Sequence, residues 1–490
     1  MKLKPILLSV FSVIIFGLQP EIAADNQTPT VSPIFPDKTL PFRVFLKKAD
    51  FELPVGIQSY IHAIVDNKWL IITGRSGGLH GFVQNSEDNF PVQEQSTIVF
   101  VIDPINKVTY TRSLLDPQSG LTQAQVDLLS VTAAQGYQKR NTLYITGGYG
   151  VVTATGKLDT KNSLTAIDIP GLMHWVVNPS PGETAAQHIR QIFDDIFKVT
   201  GGYMNQVADG PTLLMVGHEF NGFYADPIQQ PPVFQHYTDE IRRFIINDDG
   251  VNLSIVKFDP LPLVPDPNLR RRDLNVSPIV KNDCDQLEFS FDILSGVFTP
   301  TTGVWTVPVQ VTKSGEPSMA DPSLPSTFKQ GMNNYDCATL GMFSERGGDM
   351  YTILFGGMSY GFFEKVNNKF VFQTNDDIPF ISQTTAIKID KHGVYRQFFM
   401  PSATFPTIPS TTVHPGNTLL LGSEAEVFLL DSTHRYRNGV VKLDSIKRPT
   451  VIGYIVGGIQ STLPDTEDQT DSAPSKFIFQ VIVSPLQISL

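Results

Sequence analysis

A short apolar run that ends in glycine recurs along the chain, and this recurrence constrains the fold more than any other feature of the sequence. The six copies are residues 70–74, 143–148, 213–217, 291–296, 353–357 and 454–458. The closing glycine releases the chain from a strand into a loop that needs positive φ or close backbone packing. Recurrence at long intervals predicts an architecture built from one repeated supersecondary unit.

Other strand patterns surround each copy and predict four strands per unit. A strand signal precedes the run, as in residues 60–65, 337–340 and 440–443, and an outer hairpin follows it, as in residues 98–103 and 108–110. Four strands per unit, repeated around a ring, are the logic of a β-propeller. A sandwich of two stacked sheets is the alternative, but a sandwich is not expected to repeat one strand order six times.

The pattern resembles the kelch family, whose hallmark is an apolar second strand that ends in Gly-Gly. The pair is intact at Gly147-Gly148, Gly356-Gly357 and Gly457-Gly458 and is reduced to Gly74-Arg75, Gly217-His218 and Gly296 elsewhere. The resemblance covers roughly residues 59–483, with longer loops than the roughly 50-residue kelch repeat. It implies an all-β chain, a six-bladed β-propeller of four-stranded antiparallel blades within a single domain of residues 41–490.

Several segments depart from the repeat. Residues 180–183 have capping-box spacing with Pro181 at the first helical position, and apolar residues follow up to Phe197. This pattern predicts one short helical insertion between the second and third units. The outer hairpin of the fourth unit is expected within residues 296–311. Residues 401–437 form the longest insertion, and its strand signals at 417–422 and 427–430 are compatible with a hairpin.

The chain ends indicate an exported protein. Residues 1–24 place Lys2 and Lys4 before an apolar centre and end in small residues, which is typical of a signal peptide. An uncleaved membrane anchor is the alternative. Residues 25–40 lack periodicity and are expected to form a flexible leader. The strand patterns at 42–46 and 477–483 are expected to pair and close the ring, which would remove exposed sheet edges.

The net charge limits the expected partners, and the positions of the two cysteines limit the expected disulfides. The net charge is −11, with Arg270, Arg271 and Arg272 as a short basic cluster, so nucleic acid is not an expected partner. We expect this cluster to be a solvated loop or a set of ion-pair partners.

Cys284 and Cys337 would lie at opposite ends of a strand of roughly 17 Å, too far apart for a disulfide. The sequence therefore predicts two separate thiols, with Cys337 buried.

A candidate binding face follows from the repeat. In a propeller, the loops between second and third strands share one face, so the side chains after each glycine converge there. The predicted ligand-binding residues are Arg75, His80, Tyr149, His218, Glu219, Tyr360 and Glu364. Arg and His can hold an anionic or hydroxylated ligand, Tyr can stack on a sugar ring, and Glu can transfer protons. Any one of them is equally compatible with a solvated loop side chain.

The sequence contains no metal-ligand spacing, phosphate loop or nucleophile elbow, so no metal and no cofactor are expected. The main hypothesis is an exported, monomeric, non-catalytic propeller in the periplasm or outside the cell that binds a glycan or a protein. The kelch resemblance implies one alternative, a cofactor-independent sugar-modifying enzyme similar to sialic acid mutarotase. A structural or assembly protein of the cell envelope is the other alternative.

Overall fold

Strands make up most of the regular structure of this chain. The computed structural model describes residues 31–81, 87–207, 210–223, 234–283, 286–300, 303–411, 413–466 and 469–486. In these ranges the α-helices are α1 (Gln123–Asp127) and α2 (Ile169–Val177), and neither is long and apolar enough to cross a membrane. The prediction of an all-β chain is confirmed. The predicted signal peptide and Cys284 lie outside the described residues.

The described residues form nine sheets, and seven of them contain a run of four antiparallel strands. Six of these seven we call sheets I to VI, and we number their strands from the first to the fourth. Sheet I is Ile61–Val65, Lys68–Ile72, Ile98–Asp103 and Val108–Ser113; sheet II is Gln135–Lys139, Thr142–Thr146, Ser163–Asp168 and Ile189–Phe193; sheet III is Tyr203–Gln206, Thr212–Met215, Ile241–Asp248 and Leu253–Leu261. Sheet IV is Asn275–Asp283, Gln286–Leu294, Val309–Val311 and Pro317–Met319; sheet V is Ala338–Ser344, Asp349–Phe355, Thr384–Ile389 and Tyr395–Phe399; sheet VI is Glu426–Leu429, Thr450–Val456, Ile478–Pro485 and Phe42–Lys48.

The remaining strands form smaller additions. One sheet joins Tyr149–Val152, Lys157–Thr160, His218–Asn221 and Phe234–Tyr237, a second is the hairpin Gly361–Val366 and Lys369–Thr374, and a third joins Leu420–Ser423, Ile459–Ser461 and Ser472–Pro474. Ile34–Pro36 and Val441–Lys442 extend sheet V at its two edges. Most of these added strands lie, along the chain, between the second and third strands of one of sheets I to VI, where the sequence predicts long loops.

Sheet VI is built from both ends of the chain. Phe42–Lys48 pairs antiparallel with Ile478–Pro485, from Phe42 opposite Pro485 to Lys48 opposite Phe479. Val44 is fully buried, whereas its neighbour Phe45 is 42% exposed, as expected for a strand with one face on a core. The predicted pairing of the two chain ends is confirmed.

The second strand of every sheet ends in two residues with positive φ. The first positions, with φ between 42° and 67°, are Thr73, Gly147, Val216, Ser295, Gly356 and Gly457; the second positions, with φ between 82° and 104°, are Gly74, Gly148, Gly217, Gly296, Gly357 and Gly458. Residues other than glycine tolerate the first range but rarely the second. The alignment of Gly74, Gly217 and Gly296 with the first glycine of the pair is therefore wrong by one residue.

An apolar cluster fills the space between consecutive sheets, and a last cluster joins sheet VI to sheet I. Pairs that share a cluster are Leu70 and Leu143 (I and II), Leu164 and Leu214 (II and III), Met215 and Phe291 (III and IV), Leu294 and Leu354 (IV and V), Ile353 and Val481 (V and VI), and Phe428 and Trp69 (VI and I). Each sheet therefore buries both of its faces against its neighbours, which accounts for the near-continuous apolar second strands.

The predicted helix is displaced from its expected place. Ile189–Phe193 is the fourth strand of sheet II, where it pairs with Ser163–Ile167, and the helix is α2, with Pro170 in its first turn. The apolar segment 174–177, whose residues also fit a strand, lies within this helix. Trp175 on α2 is fully buried in the cluster between sheets I and II. Short apolar segments fit both periodicities, and here pairing and packing decided between them.

Other boundaries also differ from expectation. The outer hairpin of sheet IV begins only at Val309 and runs to Met319. Leu420–Ser423 does not pair with Glu426–Leu429, which is instead the first strand of sheet VI. Residues 440–443 were expected in that role, but Val441–Lys442 pairs in parallel with sheet V. Within the expected flexible leader, Ile34–Pro36 forms a strand along the edge of sheet V.

The basic cluster is not solvated as expected. Arg271 is fully buried, its guanidinium lies 4.5 Å from the centre of the Trp305 ring, and it donates to the Val307 carbonyl at 2.9 Å. Arg272 is also buried and forms an ion pair with Asp273, so only the ion-pair part of the expectation holds. Cys337 is a buried free thiol, as predicted.

Replacing Val44 with alanine tests the role of the joined ends. We expect a loss of about 1–3 kcal/mol in the free energy of unfolding, because buried methyl groups are removed from the contact between sheets V and VI. Phe45→Ala on the same strand is the matched control, and it should cost less than about 1 kcal/mol since its ring is largely exposed. Urea unfolding measures both. Equal losses would mean that this strand does not close the domain as described.

Candidate functional site

The starts of the six first strands lie together and share one backbone feature. The residue two positions before each first strand has φ between 46° and 63°, and these residues are Ser59, Ala133, Gly201, Asp273, Asp336 and Glu424. The backbone N–H of Gly201 donates to Ala133, that of Asp273 to Gly201, and that of Glu424 to Asp336, at 2.7–3.0 Å. Equivalent residues of neighbouring sheets are thus in direct contact.

A cavity of about 110 Å³ lies at this place. Its walls combine the residues that precede the first strands with residues that follow the glycine turns. At roughly 15 Å³ of accessible volume per water molecule, the cavity has room for several waters or one small ligand. The described residues contain no cluster of three or more His, Cys, Asp or Glu side chains that could hold a metal ion.

The structure brings together four of the seven predicted residues. Arg75, His80, Tyr149 and His218 line the cavity. The other three do not. Glu219 points away from it, because it neighbours His218 on a strand, and its carboxylate pairs with Lys198 at 2.7 Å. Tyr360 is buried outside the cavity wall, and Glu364 is exposed on the hairpin of sheet V.

Two carboxyl groups from neighbouring sheets are hydrogen-bonded to each other in the cavity. Burial raises the pKa of Asp336 well above its usual value, and contact with Glu424 raises it further. Burial also raises the pKa of Glu424, which its hydrogen bonds with Asp336 and Ser59 oppose. Ser59 donates its hydroxyl proton to Glu424. Two carboxyl groups in direct contact share one proton, and the Ser59 bond favours charge on Glu424. The charged form is therefore favoured more at Glu424 than at Asp336.

Both cationic side chains in the described cavity wall have a carboxylate partner. Arg75 donates to Glu94 at 2.5 Å, and its guanidinium lies 4.5 Å from the centre of the Phe90 ring. Arg272 pairs with Asp273 and donates to the hydroxyl of Tyr237 at 3.1 Å. The exposed fractions are 2% for Arg75 and 6% for Arg272. Their positive charges are thus neutralised within the wall.

The two histidines of the wall are neutral. Burial lowers the pKa of His80 to about 3 and lowers that of His218 well below its usual value. The Nε2 group of Gln235 donates to Nδ1 of His218 at 2.9 Å, so the proton of His218 is on Nε2. Nδ1 of His80 donates to the carbonyl of Gly81 at 2.9 Å, which leaves its Nε2 as an acceptor. The wall therefore contains two neutral imidazoles in different tautomers, with the ring proton of His218 on Nε2 and that of His80 on Nδ1.

Apolar and acidic groups come from different sheets. Phe90 follows the second strand of sheet I, Tyr149 that of sheet II and Phe220 that of sheet III, and their rings meet edge to face at 5.3 and 5.5 Å. The carboxyl groups of Asp273, Asp336 and Glu424 precede the first strands of sheets IV, V and VI. We call the side of the wall that carries these three rings its aromatic half, and the side that carries the three carboxyl groups, together with Arg272 and Tyr335, its acidic half.

Comparisons with known proteins add little to this geometry. No family model matches the sequence, and no curated protein does. The solved structure of YjhT is similar with a TM-score of 0.41 and 11% sequence identity, over 88% of this chain and 98% of that one.

Sequence reasoning missed the acidic half of the wall. It considered the residues after the glycine turns, whereas Ser59, Asp273, Asp336 and Glu424 precede the first strands. A polar residue two positions before a first strand is a usable signal for the first three. It fails for Glu424, because the first strand of sheet VI was expected at residues 440–443 and is Glu426–Leu429.

The shared proton makes a prediction about stability and pH. The pKa of Asp336 is raised in the folded chain, so its contribution to stability is complete below the unfolded pKa and is lost as pH rises through the folded pKa. Asp336→Asn keeps a donor toward Glu424 but has no proton to lose. We expect this variant to be more stable than wild type at pH 8, by about 1–2 kcal/mol, and not at pH 4.

Urea unfolding at the two pH values checks this expectation. Asp376→Asn, at an exposed position, is the matched control and should follow wild type at both. A stability difference between Asp336→Asn and wild type that is the same at pH 4 and pH 8 would show that no proton is held by the pair.

Proposed function

We propose that residues 41–490 form a six-bladed β-propeller of the kelch kind, with sheets I to VI as its blades. The proposal is supported by six four-stranded antiparallel sheets and by a turn with positive φ in each. Apolar clusters between consecutive sheets, including sheets VI and I, support it further. In such a ring the first strands surround a central channel, and the cavity lies at one of its mouths.

We further propose that this propeller is an exported protein that binds a carbohydrate in the cavity. The observation that carries the proposal is the division of one small cavity into an aromatic half and an acidic half. The C–H face of a sugar ring packs on aromatic side chains, while its hydroxyl groups donate to carboxylates and accept from N–H groups. Tyr149 and Phe220 provide the first kind of contact, and Glu424 and Asp273 provide the second.

Catalysis is a second candidate, and the Asp336–Glu424 pair is the observation that favours it. One group holds a proton and the other is a charged acceptor, which are the two components of general acid–base catalysis. Exchange of sugar anomers needs no more than these. The base removes the proton of the anomeric hydroxyl, the bond from the anomeric carbon to the ring oxygen breaks, and the acid protonates that oxygen. Closure on the other face of the carbonyl reverses these transfers and gives the other anomer.

Calorimetric titration with a panel of monosaccharides tests the binding proposal. We expect at least one sugar to bind, and Tyr149→Ala to weaken its affinity by about 10-fold through loss of the stacking surface. Glu364→Ala, at an exposed site outside the cavity, should bind like wild type. Thermal unfolding of both variants shows whether they are folded. Equal affinity of Tyr149→Ala and wild type would place the sugar elsewhere.

Anomer exchange followed by NMR separates the two candidate functions. An enzyme should accelerate the exchange of the bound sugar, and Asp336→Asn should abolish this acceleration because the amide has no acidic proton. A pure binding protein should bind the same sugar and leave the spontaneous exchange rate unchanged. Acceleration that persists in Asp336→Asn would exclude the carboxyl pair as its source.

A further inference from the structure

The charges of the cavity wall discriminate between classes of sugar, provided that the proposed carbohydrate site is correct. Arg75 and Arg272 are the cationic side chains in the described wall, and each forms an ion pair with a carboxylate, Glu94 or Asp273. Recognition of an acidic sugar normally uses two parallel N–H groups of one guanidinium, which hold both oxygens of a carboxylate. That mode of binding requires an edge of the guanidinium that no other carboxylate occupies.

Nη2 and Nε lie on one edge of the Arg75 guanidinium, and one of these two N–H groups already has a carboxylate partner. Nη2 donates to Glu94 at 2.5 Å, while Nε is buried and has no hydrogen-bond partner among the described residues. Nε2 of His218 is a single N–H donor of the same kind, since Nδ1 accepts from Gln235. Isolated N–H groups suit the oxygen of a hydroxyl, which needs one donor, better than a carboxylate, which needs two.

The acidic half of the wall disfavours a further negative charge. Asp336 and Glu424 are buried together, and burial raises the pKa of both carboxyl groups because a negative charge there is poorly solvated. Glu426, the first residue of the following strand, adds a second acidic group nearby, since the carboxyl groups of Glu424 and Glu426 interact electrostatically. A carboxylate brought into this cavity would face Glu424, while Arg75 and Arg272 already have carboxylate partners. A hydroxyl there instead donates a hydrogen bond to Glu424.

We infer that the cavity selects an uncharged sugar and rejects sugars that carry a carboxylate. Selection has two components, an attractive one from single donors and acceptors for hydroxyl groups and a repulsive one from the buried carboxyl groups of Asp336 and Glu424. Specificity that combines both components is more robust than attraction alone. In this view, Glu94 and Asp273 act as specificity-determining residues, because they occupy the arginines that an acidic ligand would need.

Matched pairs of sugars test the inference directly. Glucose, galactose and mannose are each compared with the uronic acid that differs only in a carboxylate at C6, by calorimetric titration of the full chain at pH 7. We expect any neutral sugar that binds to exceed its acid in affinity by on the order of 10-fold or more. An acid that binds as tightly as its neutral partner, or more tightly, overturns the inference but leaves the carbohydrate site in place. If no sugar of either kind binds, the proposed function fails and the inference fails with it.

Glu94→Gln provides an independent test of the repulsive and attractive components. The change releases the guanidinium of Arg75 while leaving the size of the side chain the same, and Glu94 is partly exposed, so the fold should tolerate it. We expect the ratio of neutral to acid affinity to fall by several-fold relative to wild type. Glu364→Gln removes a charge of the same kind outside the cavity and should leave the ratio unchanged. An unchanged ratio in Glu94→Gln would show that Arg75 does not set the preference.

Discussion

One backbone contact recurs between the sheets and fixes their relative positions. The second glycine of the turn donates its N–H to a carbonyl just before the first strand of the next sheet. This contact joins Gly74 to Val131, Gly148 to Val199, Gly217 to Arg271 and Gly458 to Ile57, at 2.8–2.9 Å. The turn is packed so closely that a Cβ at this second glycine would lie 2.4 Å from the Ser423 carbonyl oxygen at Gly458 and 2.5 Å from the Gln58 carbonyl oxygen at Gly74. Because the turn leaves no space for a side chain there, the glycine pattern is as much a packing requirement as a conformational one.

The same contact explains why a polar cavity forms in a chain with a large apolar core. Where the turn of one sheet meets the start of the next, the backbone of both is held at positive φ. The side chains at these positions project from loops rather than from the packed faces of the sheets. Polar groups such as Ser59 and Glu424 can therefore meet without disturbing the apolar clusters that lie along the strands. The scaffold provides the position of each polar group, and the loops provide its chemistry.

The polar groups of the cavity also constrain one another. Each arginine neutralises a carboxylate, and the two remaining carboxyl groups share a proton, so little net charge is buried. Burial of unpaired charge is costly, and these pairings reduce the cost. The hydrogen-bonding capacity that remains consists of single donors and acceptors. These single donors and acceptors suit the hydroxyl groups of a ligand. The pairings that reduce the cost of burying charge therefore also determine which ligands the cavity favours.

The sequence by itself determined the features that depend on local pattern. Glycine after an apolar run, alternating strands at both chain ends and polar residues near the turns are local signals, and they predicted the all-β fold, the pairing of the ends and the convergence of Arg75, Tyr149 and His218. The tertiary structure decided which short segments became strands. Ile189–Phe193 and Glu426–Leu429 became strands because neighbouring strands offered hydrogen bonds and a face to bury. The contact between Asp336 and Glu424 follows only from that second choice, since no local pattern states which distant residues will share a proton.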